Sequence, residues 1–461
     1  VAAFHRHARP PYRWPRMIVS TCRYVDFVHL RYSYRLYPTE GQQQLLARTF
    51  GCARVVYNDA LAVRKQARRD GRPYPKITDL QKLVITAAKR TAERAWLASV
   101  GVDPLIQSLR DLDTAYRNFF DSVSGRRAGP AVGLPRFKSK RDSRQSLRFT
   151  RNGFRIRGNG KLNLAKIGDV RVKWSRALPA DPSSVTILLD PSGRYHASFV
   201  VDVEPEHLPE LDTEIGIDLG LTTYAVLSDG QVIDNPRFLR KAEKKLKAAQ
   251  RELSRRAKGS KNRAKARIKL ARAHAKVADT RRDWLHKQTT RIIRENQTVY
   301  LEDLNVRGLG RGRLAKSVHD AGWSTFRRLL EEKAARYGRT IGIVHRAFPS
   351  SQLCSRCGHR DGPKPLAVRA WACGACGVFH DRDLNAARNI LAAGQADRLN
   401  ACGGPVRPGV AIPRRARPVE TGTHRNAGGT GRRPRAAGAA GIPAHQRGED
   451  VIRHLSLRRR W

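Results

Sequence analysis

The stretch "EIGIDLGLTTYAVLSDG", residues 214–230, decides the fold class. Ile215, Ile217 and Leu219 alternate with Gly216, Asp218 and Gly220, the two-residue period of a β-strand. Asp229-Gly230 is a hairpin turn signal. A carboxylate, Asp218, thus stands in a strand otherwise built for a core. Two other acids occupy comparable places. Glu302 follows the apolar strand of "TVYLEDLN", residues 298–305, and Asp383 opens "DLNAARNIL", where Leu384, Ala387 and Leu391 share a helical stripe. Acids in a strand, at a strand end and at a helix start can meet at one point of an α/β sheet. Such a cluster repels itself unless cations neutralise it. Mg²⁺ suits the task, being hard, oxygen-seeking and tolerant of a shared phosphate ligand. Two such ions about 4 Å apart activate a water and stabilise the leaving oxygen of a phosphodiester. Taken singly, each acid keeps a plainer reading. Asp218 suits a turn or a hydrogen-bonded polar group, and Asp303 competes with Glu302. Asp381 competes with Asp383, and either aspartate suits a helix cap.

The 461 residues exceed one compact core and suit two to four domains. Lys and Arg number 90 against 40 Asp and Glu, a formal charge of +50. A chain so cationic repels itself unless a polyanion neutralises it, and nucleic acid is the usual one. No apolar run approaches the roughly 18–20 residues of a membrane helix. The opening "VAAFHRHARPPYRWPR" lacks the apolar stretch of a signal peptide. The expected location is therefore cytoplasmic, on the nucleoid when DNA is bound, with no membrane partner. Met17 is the only methionine, so translation is expected to start there.

Four of the seven cysteines are paired by spacing. Cys354-x2-Cys357, fifteen residues, then Cys373-x2-Cys376 is the pattern of a four-thiolate zinc site. A closed shell of four sulfurs leaves no position for water, so this zinc is structural. A disulfide or a redox pair is the alternative. Cys22, Cys52 and Cys402 stand alone, which suits a reducing compartment. His359 and His380, nearby, read as surface residues.

Along the chain, residues 1–30 form a basic extension. Arg31–Tyr37 reads as a strand, and Thr39 with Gln42 as a capping box opening helices that run to about Ser122. Leu105, Leu109 and Leu112 share one stripe there. Residues 125–144 are a Gly/Pro/Lys/Arg loop, and 146–208 are β-rich, with Tyr195, Ala197, Phe199, Val201 and Val203 on one face. Residues 236–297 read as a helical hairpin broken at "KGSKN". Its seam is expected from Leu239, Ala242, Leu246, Ala249 and Leu253 against Ala264, Ile268, Ala271, Ala275 and Ala278. Its other faces, dense in Lys and Arg, suit a polyanion. "GWSTFRRLLEEKAARYG" is a helix ending at Gly338, and "RTIGIVH" a strand. Residues 394–461 carry fourteen arginines, no lysine and four acids, the composition of a disordered tail.

Several of these segments together resemble one family. "YRLYPTEGQQQLLARTFGCARVVYN", "LRDLDTAYRNFF", "GLPRFKSKRDSRQSLRFT", "GIDLGLTTYAVLSDG", "YLEDLNVRGL", and "SSQLCSRCG" with "CGVFHDRDLNAARNI" are similar, in this order, to the TnpB (OrfB) proteins of bacterial insertion sequences. The resemblance covers about residues 31–393. It implies a multi-domain α/β protein with an RNase H-like (RuvC-type) nuclease domain at 211–393, related to type V CRISPR effectors. That domain would carry the hairpin 236–297 and a four-cysteine zinc-ribbon insertion at 350–380. It also implies an N-terminal wedge β-barrel at 31–208, interrupted by a helical recognition insert at about 39–124. By the same resemblance the catalytic acids are Asp218, Glu302 and Asp383, binding Mg²⁺, and the "DLN" position favours Asp383 over Asp381. The partners would be a guide RNA from the transposon end and target double-stranded DNA, with cleavage leaving 5′-phosphate and 3′-hydroxyl. Lys and Arg along 236–297 and 125–157 would hold phosphates, while base pairing with the guide chooses the sequence.

Tyr32, Tyr34, Tyr57, Phe119 and Phe120 are candidates to stack on bases, with packing in the core as the alternative. His5-Arg6-His7 imitates the paired histidines of single-strand transposases, but Arg6 stands where an apolar residue is needed. Two rivals to the nuclease remain at this stage. One is a catalytically inactive RNA-guided DNA-binding regulator. The other is a conventional RNase H-fold transposase, from which the four-cysteine insertion before the last acid distinguishes this chain.

Overall fold

The computed structural model describes residues 28–400, apart from Ser143 and Leu366. The first 27 residues, with Met17 and His5-Arg6-His7, and everything after Asn400 lie outside the described residues. The chain enters as strand β1 (Val28–Tyr37). This strand starts three residues before the expected Arg31, because its pairing with a later strand runs from Val28↔Val203 through Leu36↔Tyr195. Thr39 and Gln42 then exchange the two hydrogen bonds of a capping box and open α1 (Glu40–Arg69). After α2 (Ile77–Gln81) and irregular helical turns over residues 82–99 comes α3 (Val102–Val123), whose Leu105, Leu109 and Leu112 are all buried.

Six strands follow: β2 (Gln145–Thr150), β3 (Phe154–Ile156), β4 (Leu162–Leu164), β5 (Gly168–Lys173), β6 (Ser184–Leu189) and β7 (Tyr195–Val203). With β1 they form one seven-stranded sheet, ordered β2-β6-β7-β1-β5-β4-β3. Its two edges, β2 and β3, are consecutive in the chain and only Arg151–Gly153 separates them. A connection that short cannot span a flat sheet seven strands wide, since strands lie about 4.8 Å apart. The sheet therefore curls until its edges nearly meet. Phe149, Phe199, Leu162 and Val170 fill its inside, and α1 and α3 pack into the same core through Leu46, Val56, Leu105 and Leu112.

The second sheet contains β8 (Glu214–Leu219), β9 (Thr223–Leu227) and β10 (Val232–Asp234), then β11 (Thr298–Glu302) and β12 (Thr340–Val344). Its order is β10-β9-β8-β11-β12; β11 runs parallel to both β8 and β12, and β9 is antiparallel to β8. Between β10 and β11 the chain forms a hairpin of α4 (Phe238–Arg255) and α5 (Lys261–Glu295), the second capped by Ser260. On α4 the expected Leu246 and Ala249 are buried. On α5 the expected seam is rotated: Ala264, Ile268 and Ala278 are exposed, while Ala266 and Val277 are buried. The far half of α5 sets this phase. Leu285, Ile292 and Ile293 are fixed in the sheet core, and a rigid helix carries their orientation back to Val277 and, about three turns further, Ala266. Alanines contribute too little burial to override it.

Next come α6 (Val306–Leu309), α7 (Ala315–Ala321) and α8 (Trp323–Tyr337), the last stopped by Gly338 in the left-handed region at φ +67°. A small hairpin, β13 (Ala370–Ala372) with β14 (Phe379–Asp381), leads into α9 (Arg382–Asn400). Residues 394–400 were expected to begin a disordered tail, and they are helical instead. Arg398 pairs with Glu214, Gln395 donates to the same carboxylate at 2.8 Å, and Gly394 lets the helix lie against Tyr300.

Gly216 is the tightest approach of α9 to the sheet. A Cβ there would lie 2.3 Å from the carbonyl oxygen of Ala387 and 2.6 Å from the amide nitrogen of Leu391. Both are backbone atoms and cannot swing aside. Gly216→Ala is therefore expected to destabilise the protein by about 1–3 kcal/mol, as overpacking does. Urea unfolding measures it, and an unchanged midpoint would mean that α9 does not lie where it is described.

Candidate active site and thiolate cluster

Pleat parity decides which acids meet. In β8, Ile215 and Ile217 enter the core shared with α5 and α8, so Gly216 and Asp218 face the other way, toward α9. In β11, Val299 and Leu301 enter that same core, so Tyr300 and Glu302 face α9 as well. The strands are parallel, with Ile217 opposite Leu301. Asp218 and Glu302 thus occupy the next rung, at the carboxyl ends of neighbouring strands. Asp383 stands in the first turn of α9, which crosses that face. All three acids are half-buried.

The electrostatics follow from this crowding. Burial first, then the negative charges of Asp383 and Glu302, push the Asp218 carboxyl up to about 7, although Arg382 and Arg369 oppose this. Burial, and then Asp303, raise Glu302. Among the described residues neither Asp218 nor Glu302 has an ion-pair partner.

The competing acids are occupied elsewhere. Asp303 pairs with Arg327 at 3.0 Å and with Arg346. Burial would raise it, but these two guanidinium groups hold it below the usual carboxylate range. Asp381 accepts from the amides of Asp383 at 3.0 Å and Leu384 at 2.9 Å, and so caps α9. Glu302 and Asp383 are the acids left facing Asp218.

One participant was not foreseen. Arg369 reaches in from the segment between the two cysteine pairs, with Nη1 3.4 Å from Asp383 Oδ1 and Nη2 3.4 Å from Thr222 Oγ1. Its carbonyl accepts from the amide of Arg382 at 2.7 Å. The sequence places it with Arg360 and Lys364 among the cations of the four-cysteine segment, where contact with nucleic acid is the expectation, but nothing in the sequence points it at the acids.

The cysteines also converge. The Sγ atoms of Cys354, Cys357, Cys373 and Cys376 all lie within 4.8 Å of one another. The nearest separations, 3.7 Å for Cys354–Cys376 and 3.6 Å for Cys357–Cys373, are far from the roughly 2.05 Å of a disulfide, and the disulfide alternative fails. Four soft sulfurs around one centre are the donor set of a tetrahedral zinc. Burial would raise the Cys354 thiol, but the amides of Cys357 and Arg356 and the His380 ring bring it down to about 6. His380 is not the expected surface residue. It is 6% exposed, with Nε2 3.0 Å from Cys354 Sγ and its ring 4.9 Å from that of Trp371. Strand alternation in β14 turns it inward between exposed Phe379 and Asp381.

Two asparagines tie the cluster to α9. Asn385 accepts from the amide of Ser355 at 2.8 Å and donates to the Leu353 carbonyl at 2.7 Å; Asn389 donates to the carbonyls of Ser350 and Leu353. They sit one turn apart on the buried side of the helix whose first turn holds Asp383. The aromatic candidates divide: Tyr34 and Tyr57 belong to the core, whereas Phe120 is exposed. No helix among the described residues is long and apolar enough to cross a membrane.

A mixed α/β protein with convergent acids at the carboxyl ends of parallel strands, and a four-thiolate unit fastened beside them, is the class these features define. Comparison with known proteins is consistent with it. Residues 198–312 match the OrfB model described as "Probable transposase". Residues 323–390 match "Cas12f1-like, TNB domain". Residues 28–72 match a "Helix-turn-helix domain" model, although here they form one strand and one continuous helix. A Streptomyces pristinaespiralis protein named "Putative RNA-guided DNA endonuclease" is 46% identical over 82% of this chain and 92% of its own length. InsQ of Escherichia coli K12, given the same description, is 34% identical over 80% of this chain and 93% of its own. The CRISPR-associated endodeoxyribonuclease Cas12f1 of Sulfoacidibacillus thermotolerans is 26% identical over 51% of this chain and 57% of its own. The chain belongs to the TnpB (OrfB) family of insertion sequences.

Proposed function

We propose that this chain is a transposon-encoded, RNA-guided DNA endonuclease that hydrolyses phosphodiesters with divalent metal ions. The observation that carries this is the meeting of Asp218, Glu302 and Asp383 on one face, with no ion pair to either of the first two among the described residues. Hard carboxylate oxygens under mutual repulsion fit Mg²⁺, and the four sulfurs fit a structural zinc. Mg²⁺, when bound, would lower the pKa of a water and offset charge on the phosphate. The protein's part is geometric. Asp218 and Glu302 stand on paired strands with little slack, Asp381 fixes the helix turn that presents Asp383, and Arg369 supplies positive charge at the rim. In this reading the sheet of β8–β12 is the RNase H-like nuclease domain, and the curled sheet with its helices is the wedge and recognition half. Exposed Lys241, Lys244, Lys245 and Lys247 of α4 hold phosphates of the guide RNA or of the target DNA.

The test is to isolate the protein with whatever RNA accompanies it, sequence that RNA, and challenge a plasmid library matched to its variable end. Cutting that follows the RNA sequence and needs a divalent ion is the expected result. Cutting that ignores the RNA, or no bound RNA at all, would overturn the proposal.

A pH effect arises from the same acids. The folded Asp218 carboxyl, at about 7, holds its proton over a range where an unfolded aspartate, near 3.9, has lost it. The native state therefore binds more protons between these values, and without divalent cation this group's contribution to stability falls as pH climbs from about 4 to about 7. Asp218→Asn is expected to flatten that slope, and added Mg²⁺ to restore stability more at about pH 8 than at about pH 5.5. Thermal unfolding across pH measures both; identical slopes in the two proteins would show that Asp218 is not crowded by its neighbours.

A further inference from the structure

We infer that the cavity between the curled sheet and α5 is a phosphate site, built to take a phosphodiester of a folded nucleic-acid backbone. The inference rests on the reading that this chain carries nucleic acid, and deepens it by naming where one phosphate is gripped. The cavity, about 380 Å³, is bounded by Arg35 on β1, by the turn Ser192–Arg194 between β6 and β7, and by α5 from Arg272 to Thr280. The turn is stiff: Asp190 Oδ1 accepts from Ser192 Oγ at 2.6 Å and from the amides of Ser192 and Arg194, both at 2.9 Å. Helix α5 is latched onto it, since Arg272 Nε donates to the Ser192 carbonyl at 3.4 Å and Arg194 bridges Asp190 and Asp279.

The charges do not balance. Four cations face the space: Arg35, Arg194, Arg272 and Lys276. The two nearby acids, Asp190 and Asp279, are both engaged by Arg194. Among the described residues no carboxylate lies at ion-pair distance from Arg35, Arg272 or Lys276. The neighbours of Arg35 are uncharged or shared: His196 lies with Nε2 3.3 Å from Arg35 Nη1 and 3.7 Å from Asp190 Oδ2, and the Tyr37 ring lies 5.8 Å from the guanidinium. Burial, and then the positive Arg194, hold Arg35 below its ordinary value although Asp190 opposes this; burial, and then the positive Arg35, lower His196. A half-buried guanidinium that shares the field of one carboxylate but has no ion pair of its own costs stability unless an anion arrives. Guanidinium groups converging from two sides suit a tetrahedral oxyanion, which accepts on several oxygens at once. Exposed Arg272 and Lys276 leave the mouth open to a polymer, and a phosphate there would also clamp the sheet to the hairpin.

The experiment compares the full chain with Arg35→Gln/Arg272→Gln and with a control of equal charge loss, Arg69→Gln/Arg72→Gln, at and just beyond the end of α1. Two probes are used: bulk transfer RNA, with binding measured over a salt series, and inorganic phosphate, with thermal unfolding as the readout. For the cavity variant the RNA affinity is expected to fall about tenfold beyond the control, and the slope of log K against log salt to shrink by about one to two. Loss of the thermal shift with phosphate alone, RNA binding being unchanged, would keep the site and assign it to free phosphate rather than to a polymer. A cavity variant that matches the control in both arms, with an intact circular dichroism spectrum, overturns the inference. Because neither arm reads DNA cleavage, failure here is distinguishable from failure of the nuclease reading.

Discussion

Asp218→Asn should abolish guided DNA cleavage, by more than about 100-fold, while leaving RNA binding and the fold intact. Loss of an outer-shell partner of a metal ligand already costs about 10–100-fold; removal of a ligand itself costs at least as much. The effect should be larger at Asp218 than at its neighbours, because Asp218 faces both Asp383 and Glu302 and its carboxyl is the one that burial, and then these two charges, push up to about 7. Asparagine keeps the shape and removes the charge. It relieves the repulsion, so the variant should be at least as stable as the parent near neutral pH without metal. That opposition, more stable and inactive, is what a ligand role predicts and a structural role does not. Asp303→Asn is the contrasting case. It leaves Arg327 and Arg346 without their shared carboxylate and should lower stability by about 1–3 kcal/mol, with cleavage reduced only to the extent that the fold suffers. If purified Asp218→Asn cut at the parent rate, the assignment of the acids would be wrong.

The alternation of Ile215, Ile217 and Leu219 around Asp218 was enough to give the strand and to mark the acid as out of place. Capping by Thr39 and Gln42, the stop at Gly338 and the cysteine spacing were legible for the same reason: each is a local rule acting over a few residues. What the residues alone could not settle were choices made by distant partners. Glu302 and Asp303 are adjacent and chemically alike, and Arg327 and Arg346, more than twenty residues away, neutralise only the second. Asp381 and Asp383 are separated by the hydrogen bonds of one helix start. The phase of α5 came from its buried far half, and the inward turn of His380 from the pairing of Trp371 with it across β13 and β14. Arg369 is legible in the sequence as a cation of the four-cysteine segment, but its place beside the acids is visible only in three dimensions, because it lies in the two side chains it reaches.

Removing the metal from the thiolate cluster should silence cleavage nearly as completely, by a different route. In Cys354→Ser the zinc content, measured by mass spectrometry, should drop to near zero, and cleavage should fall with it, whereas the curled sheet and the α4–α5 hairpin should keep their RNA affinity. The reasoning is mechanical. Binding energies of about 10–16 kcal/mol are typical of structural zinc, far more than the small core of Trp371, Cys354 and Cys373 supplies by itself. Without that energy the segment 350–380 loses its shape. Its ties to α9 then loosen: Asn385 and Asn389 lose their carbonyl partners, and the amide of Arg382 loses the carbonyl of Arg369. Arg369 no longer reaches Asp383, and the helix turn carrying that acid is free to fray. His380→Ala tests the same chain of contacts more gently. It removes one hydrogen bond to the Cys354 sulfur without removing a ligand, so zinc affinity should weaken about 10–100-fold and cleavage should recover when zinc is added in excess. A Cys354→Ser protein that lost its zinc yet cut normally would show that the cluster and the acids are neighbours without being coupled.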